Sequence, residues 1–478
     1  MATSKRFFEY FRCPERYCSF AVNEPLCDEA GYFEFGEQIL FGRHGSAELR
    51  STGRGSSSAE EVPSGENHQA QLSFDADEIV NNLRLERYVS PAQQSHPSNS
   101  LVGQAYYFLR PLLPVKVRRH LQKARLSSWR DLKFPQWPID RTVDHAMKDL
   151  LLLSRRAHGI DRIPFIWFWP DGAAAAAVVT HDVETDLGRD ASSVVMDLDE
   201  AFGFKAAFEV VPEKRYEVSS SYIDSIWKRG FEVAVHDLNH DGHLYRDRKT
   251  FYERAIKINS YGKRFKAEGF RAAVLYRNQE WYDALDFSYD TSVPNVGHLD
   301  PQRGGCCTVM PYFVEKLVEL PVTVTQDYSL FHILNDYSLN LWEQQIELIL
   351  ESHGLINVII HPDYSISTHE RAVFEALLSH LAKLRDERNV WTALPKEVAR
   401  WWRQRSEMKL VEDGHGLRLE GEGKERARIA YAVERDGHLE FELTPAQNRL
   451  SCGEDELAGF EHSNLLQKGV QRSWGRKL

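Results

Sequence analysis

Seven short apolar runs recur between Ala173 and Leu394, most of them separated by stretches with helical periodicity. The runs are Ala173–Thr180, Lys205–Val211, Phe231–Val235, Phe270–Leu275, Leu317–Val324, Leu355–Ile360 and Val390–Leu394. Apolar side chains fall at helical spacing in Ala191–Phe202, Tyr222–Arg229, Lys249–Lys266, Leu341–Glu351 and His369–Leu384. A strand that is apolar on both faces must be covered on both, and strands alternating with helices supply that cover around a parallel sheet. Seven runs fall one short of a regular eight-stranded barrel, so the expected fold class is α/β, an irregular, partly open (β/α)7 barrel over residues 161–404.

The 478 residues leave room for extensions on both sides of that barrel. Residues 1–43 carry β-like runs around Tyr32–Phe35 and Gln38–Phe41. Residues 44–72 are rich in Ser, Gly and Glu, bury too little apolar surface to offset their ordering entropy, and read as a flexible loop. Residues 73–160 read as a helical extension, in which Thr142–Ala157 places Val143, Met147, Leu150, Leu151 and Leu153 at helical spacing. In 405–450, strands are expected at Met408–Leu410, Leu417–Leu419, Ile429–Val433 and Leu439–Leu443, with Asp413-Gly414 and Asp436-Gly437 as hairpin turns. They form a small C-terminal all-β appendage whose sheet the runs near Phe33 and Leu40 are candidates to join. Residues 451–478 read as a loosely ordered tail.

Lys plus Arg is 59 against 70 Asp plus Glu, a net charge of −11, which argues against nucleic acid as a partner. The start of the chain lacks the pattern of a secretory signal, and no stretch approaches the roughly 20 apolar residues that span a bilayer. The expected location is cytoplasmic. Cys13, Cys18, Cys27, Cys306, Cys307 and Cys452 form no dense framework, as in a reducing compartment. From Leu101 to Leu126 aromatic, apolar and basic residues interleave. The plainer reading is a helical arm packed on the barrel; the sharper one is a peripheral membrane contact through 101–126.

In parallel α/β folds sites form at the C-terminal ends of strands, and several ends here carry ionisable residues. The run ending in Val179 leads into Thr180-His181-Asp182-Val183-Glu184, where strand alternation turns Asp182 and Glu184 to one side. One such carboxylate can bind a cation while the other acts as base. The run ending in Val235 leads into His236-Asp237-Leu238-Asn239-His240, whose histidines at i and i+4 can reach one ion. Arg271 is a permanent charge in an apolar run and needs a partner, for which Asp182 is a candidate. His361 follows Leu355–Ile360 and is placed to act as a general acid, with Asp327 a candidate to orient it. Taken singly, each has a plainer reading: solvated loop acids, a structural ion pair, a capping histidine.

The order of these motifs resembles the polysaccharide deacetylase family (carbohydrate esterase family 4) over about residues 165–400. The resemblance implies a divalent metal, zinc expected, and removal of acetyl groups from N- or O-acetylated sugars. By position, Asp182 matches the base, His236 and His240 two metal ligands, Arg271 the residue that orients the base, the stretch around Pro321–Asp327 the fourth motif, and His361 the general acid. Val183 stands where the usual ligand aspartate would be. A branch of the family reads Asp-Val-Asp or Asp-Val-Glu, and this sequence resembles that branch, making Glu184 the third ligand. Ala272 replaces the usual proline after the arginine. The implied chemistry is attack by water on the acetyl carbonyl, with a backbone N–H near Leu238 as a candidate oxyanion donor. Gly304–Cys307 is expected to line or cover the groove. The expected substrate is a carbohydrate, a sugar or polysaccharide precursor made inside the cell. The rival readings are a small-molecule C–N amide hydrolase of the same fold and a catalytically silent glycan-binding barrel.

Overall fold

The computed structural model describes residues 3–22, 25–45, 70–90, 115–413 and 416–444. Most of the expected loop, the arm before Val115 and the expected tail lie outside these residues. Nine strands form the main sheet: β1 (Ala175–Val183), β2 (Ala207–Val210), β3 (Glu232–His236), β4 (Gly269–Arg271), β5 (Tyr289–Asp290), β6 (Tyr312–Val314), β7 (Leu317–Glu319), β8 (Leu355–Ile360) and β9 (Val390–Thr392). Their spatial order is β6-β7-β5-β4-β3-β2-β1-β8, with β9 on the first residues of β1. Every pairing is parallel except the β6–β7 hairpin. The ends of the sheet approach through Val322–Thr325, where the Thr323 hydroxyl donates to the Leu355 carbonyl at 2.7 Å and Val324 N–H to the Asn357 carbonyl at 3.2 Å. This is the irregular, partly open barrel expected from the run spacing.

All nine residues of β1 are buried, so it reads as one apolar run rather than an alternation. Its two faces serve different cores. Ala175, Ala177 and Val179 pack outward with Phe208, Val233, Val235, Ile356 and Val358 under the surrounding helices. Ala176 and Val178 face the interior with Tyr289, Val318 and Leu355, in a core continued by Phe7, Phe11, Trp167, Trp401 and Trp402. Helices α1 (Asp186–Ala201), α2 (Ser220–Lys228) and α3 (Arg248–Phe265) start on the side-chain caps Thr185, Ser219 and Asp247. Helices α4 (Asn340–Leu350) and α5 (Thr368–Arg388) flank β8.

Three sequence expectations change. The run Phe270–Leu275 is a strand only to Arg271, because Val274 and Leu275 take left-handed backbone (φ 62° and 52°) that ends pairing. Arg271 therefore closes a short strand. The hairpin Gly31–Phe35/Gln38–Gly42 does not join the C-terminal strands; Phe33 packs instead on His44 and Phe74. The strand that joins them is Arg162–Ile166, antiparallel to Ile429–Arg435. The turn Asp436-Gly437 has positive φ at both residues, as a two-residue hairpin requires. The end of the expected loop, Ala70–Leu72, is a strand parallel to Phe20–Val22. Helix Thr142–Ala157 has the expected bounds. Among the described residues no helix is long and apolar enough to cross a membrane.

Candidate active site

The C-terminal ends of β1, β3, β4 and β8 meet on one face of the barrel. Glu184 follows β1, His236 closes β3, Arg271 closes β4 and His361 follows β8. Glu184 Oε1 lies 2.8 Å from His240 Nε2, 3.6 Å from His236 Nε2 and 3.4 Å from His361 Nε2. Asp182 Oδ2 lies 3.7 Å from His236 Nε2. The alternation of β1 therefore does aim Asp182 and Glu184 at the same histidines. His181 between them faces outward and bonds Asp199 of α1 at 2.9 Å.

Each histidine is oriented by its other ring nitrogen or its backbone. His236 Nδ1 lies 3.2 Å from the Arg271 carbonyl oxygen, which fixes its proton there and leaves the Nε2 lone pair facing Glu184. His240 holds left-handed backbone at φ 52°, a strained state for a non-glycine that swings its ring back toward β3, 4.9 Å from the ring of His236. His361 Nδ1 contacts Asp327 Oδ1 at 2.6 Å, and its backbone N–H donates to Asp327 Oδ2 at 2.7 Å.

Arg271 is fully buried and is clamped on several sides. It donates to Asp182 Oδ1 at 2.5 Å, to the Thr180 hydroxyl at 2.8 Å, and to the Thr291 carbonyl and hydroxyl at 3.0 and 3.1 Å. Burial alone would raise the Asp182 carboxyl, but Arg271, His236 and His361 outweigh it and hold the carboxyl below its ordinary range. Burial likewise opposes the charge on Glu184, and His240, His236 and His361 together hold it well below. Burial lowers His361, but Asp327 and Glu184 outweigh it and leave the imidazole well above its usual range.

His236 Nε2 and His240 Nε2 are buried and face Glu184 Oε1 without hydrogen-bond geometry, and His240 Nδ1 is buried without a partner. Buried polar atoms are rarely left so. Two imidazole lone pairs converging on one carboxylate suit a divalent cation, and Glu184, His236 and His240 offer ligand atoms within 4.8 Å of one another. Asp182, Glu184 and His361 form a second such group. That group is the poorer candidate, because it brings one imidazole instead of two and its Asp182 is already charge-paired with Arg271.

Two sequence expectations fail here. Leu238 N–H donates to the side chain of its neighbour Asp237 at 2.6 Å, so it is committed and not a free oxyanion donor. Gly304–Cys307 does not line the groove. Gly305 N–H donates to Glu86 at 2.6 Å, its carbonyl accepts from Tyr88 at 2.7 Å, and both cysteines are fully buried. The sequence reading gave no role to three residues. Thr180 and Thr291 hold Arg271, and Glu209 stands beside Asp182 in the β1–β2 register, fully buried, its carboxyl raised to about 7 by burial. A carboxylate inside the apolar run Lys205–Val211 was the available signal for Glu209.

Fold and site together define a parallel barrel with two histidines and a carboxylate at its C-terminal mouth, flanked by an arginine-held aspartate and an aspartate-held histidine. No family model and no curated protein matches the chain. Similar solved structures include a Mycobacterium smegmatis protein described as a polysaccharide deacetylase (19% identity over 50% of this chain and 93% of that one, TM-score 0.41). They also include an allantoinase (11%, 49% and 92%, TM-score 0.39) and a Streptomyces lividans family 4 carbohydrate esterase in complex with acetate (11%, 46% and 93%, TM-score 0.29).

Proposed function

We propose that the chain is a metal-dependent hydrolase that removes acetyl groups from an N- or O-acetylated sugar or polysaccharide precursor. The observation that carries this reading is the division of labour around Glu184. On one side Asp182 is kept ionised by Arg271 and suits a general base; on the other His361 is kept protonated by Asp327 and suits a general acid. Glu184, His236 and His240 would hold the ion, and the pairing of two imidazoles with one carboxylate favours zinc. When bound, the ion supplies Lewis acidity toward water and the acetyl carbonyl.

The remaining steps belong to the chain's own residues. Asp182 takes the proton of the attacking water through Oδ2, the oxygen that Arg271 leaves free. His361 Nε2 delivers a proton to the departing amine or alkoxide, and Asp327 stabilises the imidazolium until it does. Amide and ester leaving groups both need such an acid, so the site accommodates N- and O-acetyl substrates. Acetate release from N-acetylated oligosaccharides tests the reading. Asp182→Asn is expected to lower kcat by roughly 10²–10⁴-fold, the usual contribution of a general base. Undiminished acetate release from that variant sinks the proposal.

A further inference from the structure

Helix Val115–Leu126 lies against the rim of the barrel mouth. The Tyr328 hydroxyl donates to Gln122, Tyr328 N–H donates to Asp327 Oδ1 at 2.7 Å, and Asp327 holds His361. Arg125 adds a bond to the Pro301 carbonyl at 3.4 Å. Gln122 and buried Leu126, one turn apart, form the inward face. On the opposite face Val117 and Leu121, also one turn apart, are 41% and 42% exposed, and Ala124 continues the stripe. Exposed Lys123 and Arg125 flank it.

The helix carries Lys116, Arg118, Arg119, Lys123 and Arg125 and no acidic residue, in a chain whose net charge is −11. A chain of net charge −11 is repelled overall by an anionic surface, so a segment rich in cations favours the face that carries it. A short apolar stripe between cations, on a helix with its other face seated on protein, has the chemistry of an interfacial membrane element. We propose that this helix docks the protein on an anionic lipid bilayer beside the rim of the barrel mouth. If the deacetylase reading holds, the substrate class is an acetylated sugar carried on a lipid, reached without leaving the membrane surface.

The test is cosedimentation of the full chain with vesicles of phosphatidylcholine alone, or with roughly a third phosphatidylglycerol, at low and high salt. Binding is expected only with phosphatidylglycerol and at low salt. Lys123→Glu with Leu121→Asp is expected to weaken it by about tenfold or more, since each cation near the surface and each apolar contact contributes. Both side chains point to solvent, and activity on a soluble acetylated oligosaccharide is expected to be unchanged. Equal binding to phosphatidylcholine, no binding to either vesicle, or binding that the paired substitution leaves intact overturns the proposal. So does salt-sensitive binding to DNA or heparin that matches the vesicles and ignores Leu121→Asp, which marks a generic polyanion patch. Vesicle binding needs no catalysis, so an inactive protein that still binds leaves the docking inference standing and removes only the substrate reading.

Discussion

Asp327 spends both carboxylate oxygens on His361, one on the ring Nδ1 at 2.6 Å and one on the backbone N–H at 2.7 Å. The ring is thereby fixed in angle and in tautomer, with Nε2 turned to the barrel mouth. Asp327→Asn keeps the shape and removes the charge. Because Asp327 raises His361, the variant's imidazole loses its proton at lower pH. The expected outcome is a kcat lower by roughly 10²-fold or more with KM little changed, and an alkaline limb of the kcat–pH profile displaced to lower pH. A profile of unchanged position sinks the assignment of Asp327 as a positioning residue.

The convergence of His236 Nε2 and His240 Nε2 on Glu184 predicts a bound divalent ion. Elemental analysis of the purified chain should find close to one per molecule, and His240→Ala should lose it. Chelation should lower the unfolding midpoint, since an ion at a hundred times its Kd contributes about 2.7 kcal/mol. A chain whose thermal unfolding ignores chelators would falsify the candidate centre.

Glu86 and Arg277 form a buried ion pair that fastens the N-terminal extension to the barrel, and Glu86 also accepts from Gly305 N–H. Glu86→Gln leaves a buried guanidinium uncompensated and is expected to cost about 3–5 kcal/mol in urea unfolding. The double variant Glu86→Leu with Arg277→Met should cost less than the single one, because no charge is stranded. A double variant at least as damaged as the sum of the two singles would show that the pair is not coupled.

Glu232 is fully buried at the start of β3, accepting from the Lys396 N–H at 3.1 Å and 3.0 Å from the Tyr289 hydroxyl. Burial raises its carboxyl to about 8. A folded value above the unfolded one of about 4.3 means that the folded state holds the proton longer, so stability is full below that pH and is lost as pH rises through about 8. Glu232→Gln should lose less stability than the parent between about pH 5 and pH 8, by on the order of 2 kcal/mol or more. Parallel stability–pH curves for the two proteins sink this account.

The barrel was legible because its strands are continuous apolar runs, and burial on both faces leaves little other use for them. His236, His240 and His361 were legible for the same reason, as charge placed where an apolar run stops. Glu209 was not, since an isolated carboxylate in a run gives no sign of which neighbour faces it; the β1–β2 register supplies Asp182. Nor was the role of Gly304–Cys307, which turns on Glu86 more than two hundred residues away in the chain.

The sequence by itself determined the alternation of strand and helix, the Asp436-Gly437 hairpin turn, and which strand ends carry ionisable groups, because each depends on neighbours within a few residues. The expected turn at Asp413-Gly414 lies partly outside the described residues. The sequence offered Asp182 to Arg271 and Asp327 to His361 only as candidates; tertiary structure decided both pairings, and it alone joined the Ile429–Leu443 hairpin to Arg162–Ile166. Those pairings depend on sheet register and on where the chain returns after long loops, and they place charges from distant segments within a hydrogen bond of each other in a low-dielectric interior.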